Sequence, residues 1–144
     1  MRKIIFDDKL FDNWNQEKKE IHQYGAVKNY QNIQLYEWEI WYIKLWTNIW
    51  FKQNGKWWYK RPVLILKRVW NMFLCAIMTT KGKIWSLFYH KIQSWNLNKD
   101  SYIILSQIRS IDKKRFIEKI WKVSKKEFEE IKKLLKNLIF PEDV

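Results

Sequence analysis

Cysteine, histidine, proline and glycine are all scarce in this chain of 144 residues. The one cysteine, Cys75, cannot form an internal disulfide, and its apolar neighbours favour a buried structural thiol over a nucleophile. One cysteine and two well-separated histidines, His22 and His90, give no cluster with the spacing of metal ligands. The chain also lacks a glycine-rich phosphate loop and a nucleophile elbow. These absences exclude disulfide scaffolds, Cys/His metal domains, P-loop enzymes and α/β-hydrolases.

Long apolar runs are also missing, because the longest uninterrupted stretches span only a few residues. A membrane-spanning helix needs about 20 apolar residues. The basic N-terminus resembles the start of a signal peptide, but Asp7, Asp8 and Lys9 end its apolar stretch at once. Apolar residues nevertheless make up 47% of the chain, which suits one folded domain. We therefore expect a cytoplasmic protein without a membrane contact.

Positive charge is in clear excess, with 28 Lys and Arg residues against 15 Asp and Glu residues. The formal net charge of +13 predicts attraction to a polyanion such as RNA, DNA or an acidic protein. Charge alone does not choose among these partners, and a soluble domain with a basic surface has the same balance.

Hydrophobic periodicity predicts a helix, a series of strands and a second helix. The first helix covers residues 7–24, and residues 25–34 form a polar linker. The apolar residues on one face of this helix are Leu10, Phe11, Trp14 and Ile21. Strands are predicted near residues 40–45, 63–66, 72–78, 84–92 and 101–108.

The C-terminal helix has clear signals at both ends. Ser124 and Glu127 form a capping box, and Pro141 ends the helix. Its apolar stripe comprises Phe128, Ile131, Leu134, Leu135, Leu138 and Ile139. Several short strands followed by one packed helix predict a small, strongly bent barrel covered by a helix, in the α+β, mainly β class.

Two neighbouring predicted strands carry candidate phosphate-binding residues at their ends. Arg61 opens one strand and Thr79 ends the next, so an antiparallel pair brings both to the same sheet end. An arginine beside a threonine hydroxyl can hold a phosphate by charge and a directed hydrogen bond. Lys60, Lys81 and a basic loop containing Lys52 would surround them. Arg-Pro strand openings and Thr-Thr-Lys-Gly turns are also ordinary, and the residues alone favour a structural role.

Several sequence blocks resemble the MazF/PemK family of bacterial toxins. Residues 60–66 (KRPVLIL) resemble its arginine-proline strand, and residues 76–80 (AIMTT) its strand ending in the active-site threonine. Residues 100–112 (DSYIILSQIRSID) and residues 39–41 (EIW) resemble two further blocks. The blocks occur in the family's order, so we assign residues 36–144 to a toxin domain. Residues 1–35 form an N-terminal helical extension and linker.

The resemblance implies a fold, a reaction and partners. The fold is a small Src-homology-3-like barrel of the CcdB/PemK type with a C-terminal helix and an extra N-terminal helix, usually assembled as a symmetric homodimer. The activity is that of a type II toxin–antitoxin toxin, a metal-independent, sequence-specific endoribonuclease. Its products carry 2′,3′-cyclic phosphate and 5′-hydroxyl ends. The implied partners are single-stranded RNA and a cognate antitoxin, with no cofactor.

Residue roles follow from the same resemblance. Arg61 would bind the scissile phosphate and stabilise its developing charge, and Thr79 would hydrogen-bond the same phosphate. The loop of residues 47–59 would cover the substrate. The substrate-binding candidates are Asn48, Lys52, Gln53, Lys60, Thr80 and Lys81.

One departure and one related family leave alternatives open. Lys52 stands where many relatives carry an acidic residue, which supports a catalytically inactive RNA-binding module. A non-enzymatic, gyrase-binding toxin similar to CcdB would need no Arg61–Thr79 pair and would bind through its C-terminal helix.

Tryptophan is abundant where glycine is scarce, with 11 Trp and 3 Gly against about ten glycines expected at this length. Compared with the family pattern, tryptophan occupies usual glycine positions at Trp38, Trp46, Trp50, Trp57, Trp85 and Trp121, with Trp70 and Trp95 as further candidates. We hypothesise that UGA codons, which some bacterial lineages read as glycine, are read here as tryptophan. UGG codons at these positions would contradict the hypothesis. The alternative is a tryptophan-rich loop that stacks on RNA bases.

Overall fold

The computed structural model describes residues 8–27, 29–44, 60–82, 86–93 and 99–141, except the side chains of residues 8–11 and 24. The elements in chain order are α1 (Asp8–Tyr24), β1 (Glu39–Lys44), β2 (Lys60–Val69), β3 (Met72–Thr79), β4 (Tyr89–Lys91), β5 (Tyr102–Asp112), β6 (Phe116–Lys122) and α2 (Lys125–Ile139). Short 3₁₀ helices occupy Tyr30–Asn32 and Lys113–Arg115. Neither α-helix, within the described residues, is long and apolar enough to cross a bilayer.

The strands form one antiparallel sheet in the order β4-β5-β3-β2-β1-β6. In a flat sheet, β3 and β6 would lie three strand spacings apart, about 14 Å. The rings of Phe73 on β3 and Phe116 on β6 nevertheless meet edge to face, with centroids 5.5 Å apart. The sheet is therefore strongly curled, which confirms the small barrel expected from the sequence.

The inside of this curl is filled by a cluster that we call the barrel core. Its buried members are Trp41, Ile43, Val63, Ile65, Phe73, Cys75, Ile77, Ile104, Ile111 and Phe116. Burial raises the pKa of the Cys75 thiol to about 12, because the thiolate would lose its hydration. Cys75 is therefore protonated at neutral pH and packs as a small apolar side chain, as its sequence neighbours predicted.

The opposite face of the sheet packs against α2 and forms the helix-side core. The helix contributes Phe128, Ile131 and Leu135 to this cluster, and the strands contribute Ile40, Leu64, Leu66, Ala76, Met78, Ile103 and Leu105. Ser124 caps the helix by accepting a hydrogen bond from the Glu127 N–H. Leu134 and Ile139, which the sequence placed on the buried stripe, are 40% and 57% exposed and lie at its margin.

Helix α1 docks on the barrel beside the connection between β5 and β6. Trp14 and Ile21 are buried, as predicted, whereas the side chains of Leu10 and Phe11 lie outside the described residues. The guanidinium of Arg115 lies 5.8 Å from the Trp14 ring centroid and donates to the carbonyl of Lys44 at 3.2 Å. Burial, and secondarily Arg109, lower the pKa of Arg115 from its ordinary value, whereas Asp112 raises it.

Further polar contacts fix α1 and the segment after it. The Ala26 N–H donates to the carbonyl of Lys114, and the Lys114 ammonium donates to the carbonyl of His22. Glu17 forms an ion pair with Lys44 at the end of β1. Ile33 and Leu35, in the segment predicted to be a linker and just beyond it, pack against the barrel core. The structure therefore shows α1 packed on the barrel.

Two strand predictions differ from the structure. The fourth strand was expected over residues 84–92, but β4 covers only Tyr89–Lys91 and follows a turn at residues 87 and 88. β6 was not predicted, since Phe116 is its only fully buried member and charged side chains interrupt its pattern. This strand exists because β1 offers an edge with which it pairs from Glu39 to Ile43.

Two tryptophans have left-handed backbone conformations. Among the described non-glycine residues, positive φ angles occur at Asn29, Trp38 (76°) and Trp70 (60°). Trp70 and Asn71 form the two-residue connection between Val69 and Met72, which pair across β2 and β3. A positive φ at the first connecting residue alone indicates a type II′ turn, where glycine is preferred. Backbone strain thus agrees with the glycine hypothesis at both positions.

Candidate active site at the end of the central strands

The candidate pair Arg61 and Thr79 lies on one face of the sheet, at adjacent ends of β2 and β3. Val63 pairs with Ile77, and continuing this antiparallel register by two residues places Arg61 opposite Thr79. Opposed residues on antiparallel strands have Cα atoms about 4.5–5.5 Å apart. Both side chains are partly buried and lie at the same level of the sheet.

This level continues across the whole sheet. Ile43 pairs with both Phe116 and Arg61, Thr79 pairs with Tyr102, and Tyr102 pairs with Lys91. Cross-strand partners point to the same face, so these residues form one row, which we call the rim row. Its members, from β6 to β4, are Phe116, Ile43, Arg61, Thr79, Tyr102 and Lys91. The end of the row on β6 and β1 is apolar, and the remainder, from β2 to β4, is polar and basic.

The turn that follows Thr79 fixes the threonine hydroxyl. The Thr79 hydroxyl oxygen accepts a hydrogen bond from the Lys81 N–H at 3.1 Å. A hydroxyl that accepts in this way still has its own proton to donate. Gly82 lies so close to the Tyr102 ring that a Cβ atom at position 82 would clash with it. The turn therefore packs closely against Tyr102, which is itself buried.

Lys60 lies on the other side of the sheet from Arg61. Consecutive strand residues point to opposite faces, and Lys60 shares a face with Pro62 and Leu64. Its ammonium lies 5.5 Å from the ring centroid of Tyr42 and 3.8 Å from a carboxylate oxygen of Glu118. The structure therefore does not bring Lys60 together with Arg61 and Thr79, contrary to the expectation that it surrounds them.

The remaining predicted binding residues divide into two groups. Thr80 and Lys81 are exposed in the turn directly after Thr79, beside the rim row. The substrate-covering loop, with Asn48, Lys52 and Gln53, lies outside the described residues. The suspect positions Trp46, Trp50, Trp57, Trp85 and Trp95 lie outside them as well.

Two polar members of the rim row, Tyr102 and Lys91, were not among the site residues predicted from the sequence. Both belong to it because of strand register, which short sequence motifs do not reveal. Lys91 forms an ion pair with Asp100 across 3.3 Å. His90, its neighbour on β4, points the other way and lies 3.5 Å from the Glu127 carboxylate of α2.

The chemistry available on the rim row is that of anion binding. A guanidinium gives charge and paired donors, the threonine hydroxyl gives one directed donor, and lysines border them. Within the described ranges, no three His, Cys, Asp or Glu side chains are grouped as metal ligands. The arrangement can therefore hold a phosphate group between Arg61 and Thr79.

Fold and rim row together define a small antiparallel barrel with a basic, polar edge and a covering helix. The chain belongs to the family of PemK-like, MazF-like toxins of type II toxin–antitoxin systems, whose family model matches residues 36–139.

Two solved structures have a similar fold. The MazE-MazF structure from Deinococcus radiodurans matches with a TM-score of 0.58 and 15% identity, covering 76% of this chain and 98% of that one. The Mycobacterium tuberculosis toxin MazF-mt6 matches with a TM-score of 0.55 and 17% identity, covering 70% of this chain and 95% of that one. A comparison with curated protein sequences found no significant match.

Proposed function

We propose that this toxin is an endoribonuclease that cuts single-stranded RNA at short sequences without a metal ion. The observation that carries the proposal is the placement of Arg61 opposite Thr79 on one face of the sheet. A cation and a hydroxyl at this separation can bind two oxygens of one phosphodiester. Family membership supports the same activity, and the net charge of +13 suits a polyanionic substrate.

The proposed reaction is transfer of the phosphodiester to the neighbouring ribose hydroxyl. The 2′-oxygen forms a bond to phosphorus, and the bond from phosphorus to the 5′-oxygen breaks. One proton leaves the 2′-hydroxyl and one proton is gained by the 5′-oxygen, so the step consumes neither water nor a redox partner. The products are a 2′,3′-cyclic phosphate and a free 5′-hydroxyl.

Arg61 and Thr79 take complementary parts in this step. Negative charge grows on the non-bridging phosphate oxygens in the transition state, and the Arg61 guanidinium stabilises it. Thr79 donates its proton to one of the same oxygens, because a phosphate oxygen can only accept a hydrogen bond. The Lys81 N–H engages one lone pair of the hydroxyl oxygen and does not use that proton. The hydrogen-bonded turn fixes the hydroxyl before substrate binds, which lowers the entropic cost of positioning the phosphate.

The binding residues extend the same surface. Thr80 and Lys81 would contact the RNA backbone next to the scissile phosphate, and Asn48, Lys52 and Gln53 would contact bases or backbone from the covering loop. We assign Lys60 a structural role instead, because it lies on the opposite face with Tyr42 and Glu118.

A toxin of this family is proposed to act in the cytoplasm as a homodimer and to be restrained by an antitoxin. One structural neighbour is a MazE-MazF complex, which supports an antitoxin as partner. An acidic antitoxin segment would compete with RNA for the basic rim row, since both offer anionic groups to Arg61 and the bordering lysines.

The proposal is tested by incubating the full chain with a long single-stranded RNA in excess chelator. We expect discrete cuts whose downstream fragments carry 5′-hydroxyl ends, detected because a kinase labels them without prior dephosphorylation. Binding without cutting, across RNAs of varied sequence, would replace the enzyme with an RNA-binding module. A folded chain that binds no RNA would contradict the proposal and favour the alternative of a gyrase-binding toxin.

A further inference from the structure

The basic side of the rim row extends beyond the pair assigned to the reaction. Thr79 pairs with Tyr102 on β5, and Tyr102 pairs with Lys91 on the edge strand β4. Lys91 therefore shares a face with Arg61 and lies three strands away from it, at most about 14 Å between Cα atoms because the sheet is curled. A few nucleotides of an extended single strand cover this distance.

We propose that Lys91 binds a backbone phosphate of the RNA some nucleotides away from the scissile one, so that the strand crosses the sheet from Arg61 to Lys91. This inference rests on the proposed ribonuclease function and adds a binding site to it. Thr79 and Tyr102 lie between the two cations, so the part of the row from Arg61 to Lys91 has a positive charge at each end and no carboxylate within it. A polyanion with regularly spaced charges fits that pattern.

The present partner of Lys91 is compatible with exchange for a phosphate. Its ammonium lies 3.3 Å from an Asp100 carboxylate oxygen, and the two side chains are 38% and 67% exposed. An ion pair this exposed contributes little stability, because water and salt screen it. An RNA phosphate can therefore take the place of the Asp100 carboxylate, and Asp100 is a competitor for Lys91 rather than a structural anchor.

Neighbouring side chains on β4 point to opposite faces of the sheet, so the residue proposed to bind RNA differs from the one that packs against α2. His90 points toward α2 and the Glu127 carboxylate, whereas Lys91 points to the opposite face of the sheet, with the rest of the rim row. Neutralising Lys91 should therefore alter RNA binding while leaving the packing of β4 against α2 unchanged.

The test measures the affinity of the full chain for a short single-stranded RNA made uncleavable by one 2′-deoxy nucleotide at its cutting site. Lys91→Gln should weaken binding by about threefold to tenfold at 0.1 M salt and lower the salt dependence by about one charge. Asp100→Asn should strengthen binding, and that gain should vanish in the Lys91→Gln background. Lys67→Gln is the matched control, because Lys67 is exposed on β2 about 20 Å from Arg61 along the strand.

The outcomes separate this inference from the proposed function. If RNA is cut but Lys91→Gln binds like Lys67→Gln, the Lys91 site is wrong and the ribonuclease proposal stands. If Asp100→Asn strengthens binding equally with and without Lys91, the exchange of partners is wrong. If the unaltered chain neither binds nor cuts RNA, both proposals fail together. Unchanged melting temperatures of all variants confirm that the comparison reports binding.

Discussion

Replacing Arg61 with alanine is expected to lower the rate of RNA cleavage by about a hundredfold to a thousandfold, with the fold retained. The guanidinium is the side chain best placed to neutralise charge on the phosphate, because it lies opposite Thr79 at the end of β2. The Arg61 side chain is only partly buried, so truncating it removes little of the core. The measurement is the single-turnover cleavage rate at one mapped site, with thermal unfolding recorded in parallel.

Arg109→Ala serves as the control for lost positive charge. Arg109 is exposed on β5 and pairs with Cys75, four residues and about 13 Å along β3 from Thr79. Arg61→Lys adds a second comparison, since it retains the charge but removes the planar pair of donors. Equal rates for Arg61→Ala and Arg109→Ala would show that Arg61 acts only through general attraction.

Replacing Trp70 with glycine is expected to stabilise the protein by about 1 kcal/mol and to raise its melting temperature by roughly 4 °C. Trp70 has a φ of 60° at the first position of the β2–β3 turn, a conformation that glycine adopts without strain. Its side chain is 89% exposed, so little buried area is lost when the ring is removed. Thermal or denaturant unfolding measures the change.

Trp70→Ala distinguishes the backbone from the ring. Alanine removes the exposed ring but keeps the Cβ atom that disfavours positive φ, so no comparable gain is expected. Trp38 is less suitable, because its ring packs 5.5 Å from Phe128 and would lose that contact on substitution. Equal stability of Trp70→Gly and Trp70→Ala would remove backbone strain as support for the glycine hypothesis at position 70.

The hypothesis does not apply equally to every suspect tryptophan. Trp121 lies within β6, pairs with Ile40, and is not among the described residues with positive φ. Nothing in the backbone at this position requires glycine. Trp14 and Trp41, which are not among the suspect positions, are both buried, and the Trp41 indole donates to the Glu39 carboxylate. Left-handed backbone thus supports glycine at Trp38 and Trp70 specifically.

The sequence predicted the elements whose local signals are strong. β2 and β3 have continuous apolar runs, and α2 has a capping serine and a helical stripe, so their positions were found within a few residues. The proximity of Arg61 and Thr79 also followed from the sequence, because antiparallel neighbours joined by a short connection bring these two strand ends together. Sequence patterns were sufficient to predict those elements whose formation depends on residues close together in the chain.

Elements that depend on distant contacts were not predictable in this way. β6 has one fully buried residue and is defined by pairing with β1, more than seventy residues earlier in the chain. Lys91 joins the rim row only through the β4–β5 register. Lys60 was grouped with Arg61 because they are adjacent in sequence, although strand alternation places them on opposite faces.

The central claim is that the Arg61–Thr79 site transfers a phosphodiester to the adjacent 2′-hydroxyl. The most direct test compares cleavage, in excess chelator, of an RNA and of the same RNA with one 2′-deoxy nucleotide at the mapped cutting site. We expect the all-ribose RNA to be cut and the substituted RNA to bind with similar affinity but to remain intact there. Cutting of the substituted RNA at the same position would contradict the account, because another nucleophile would then attack the phosphate.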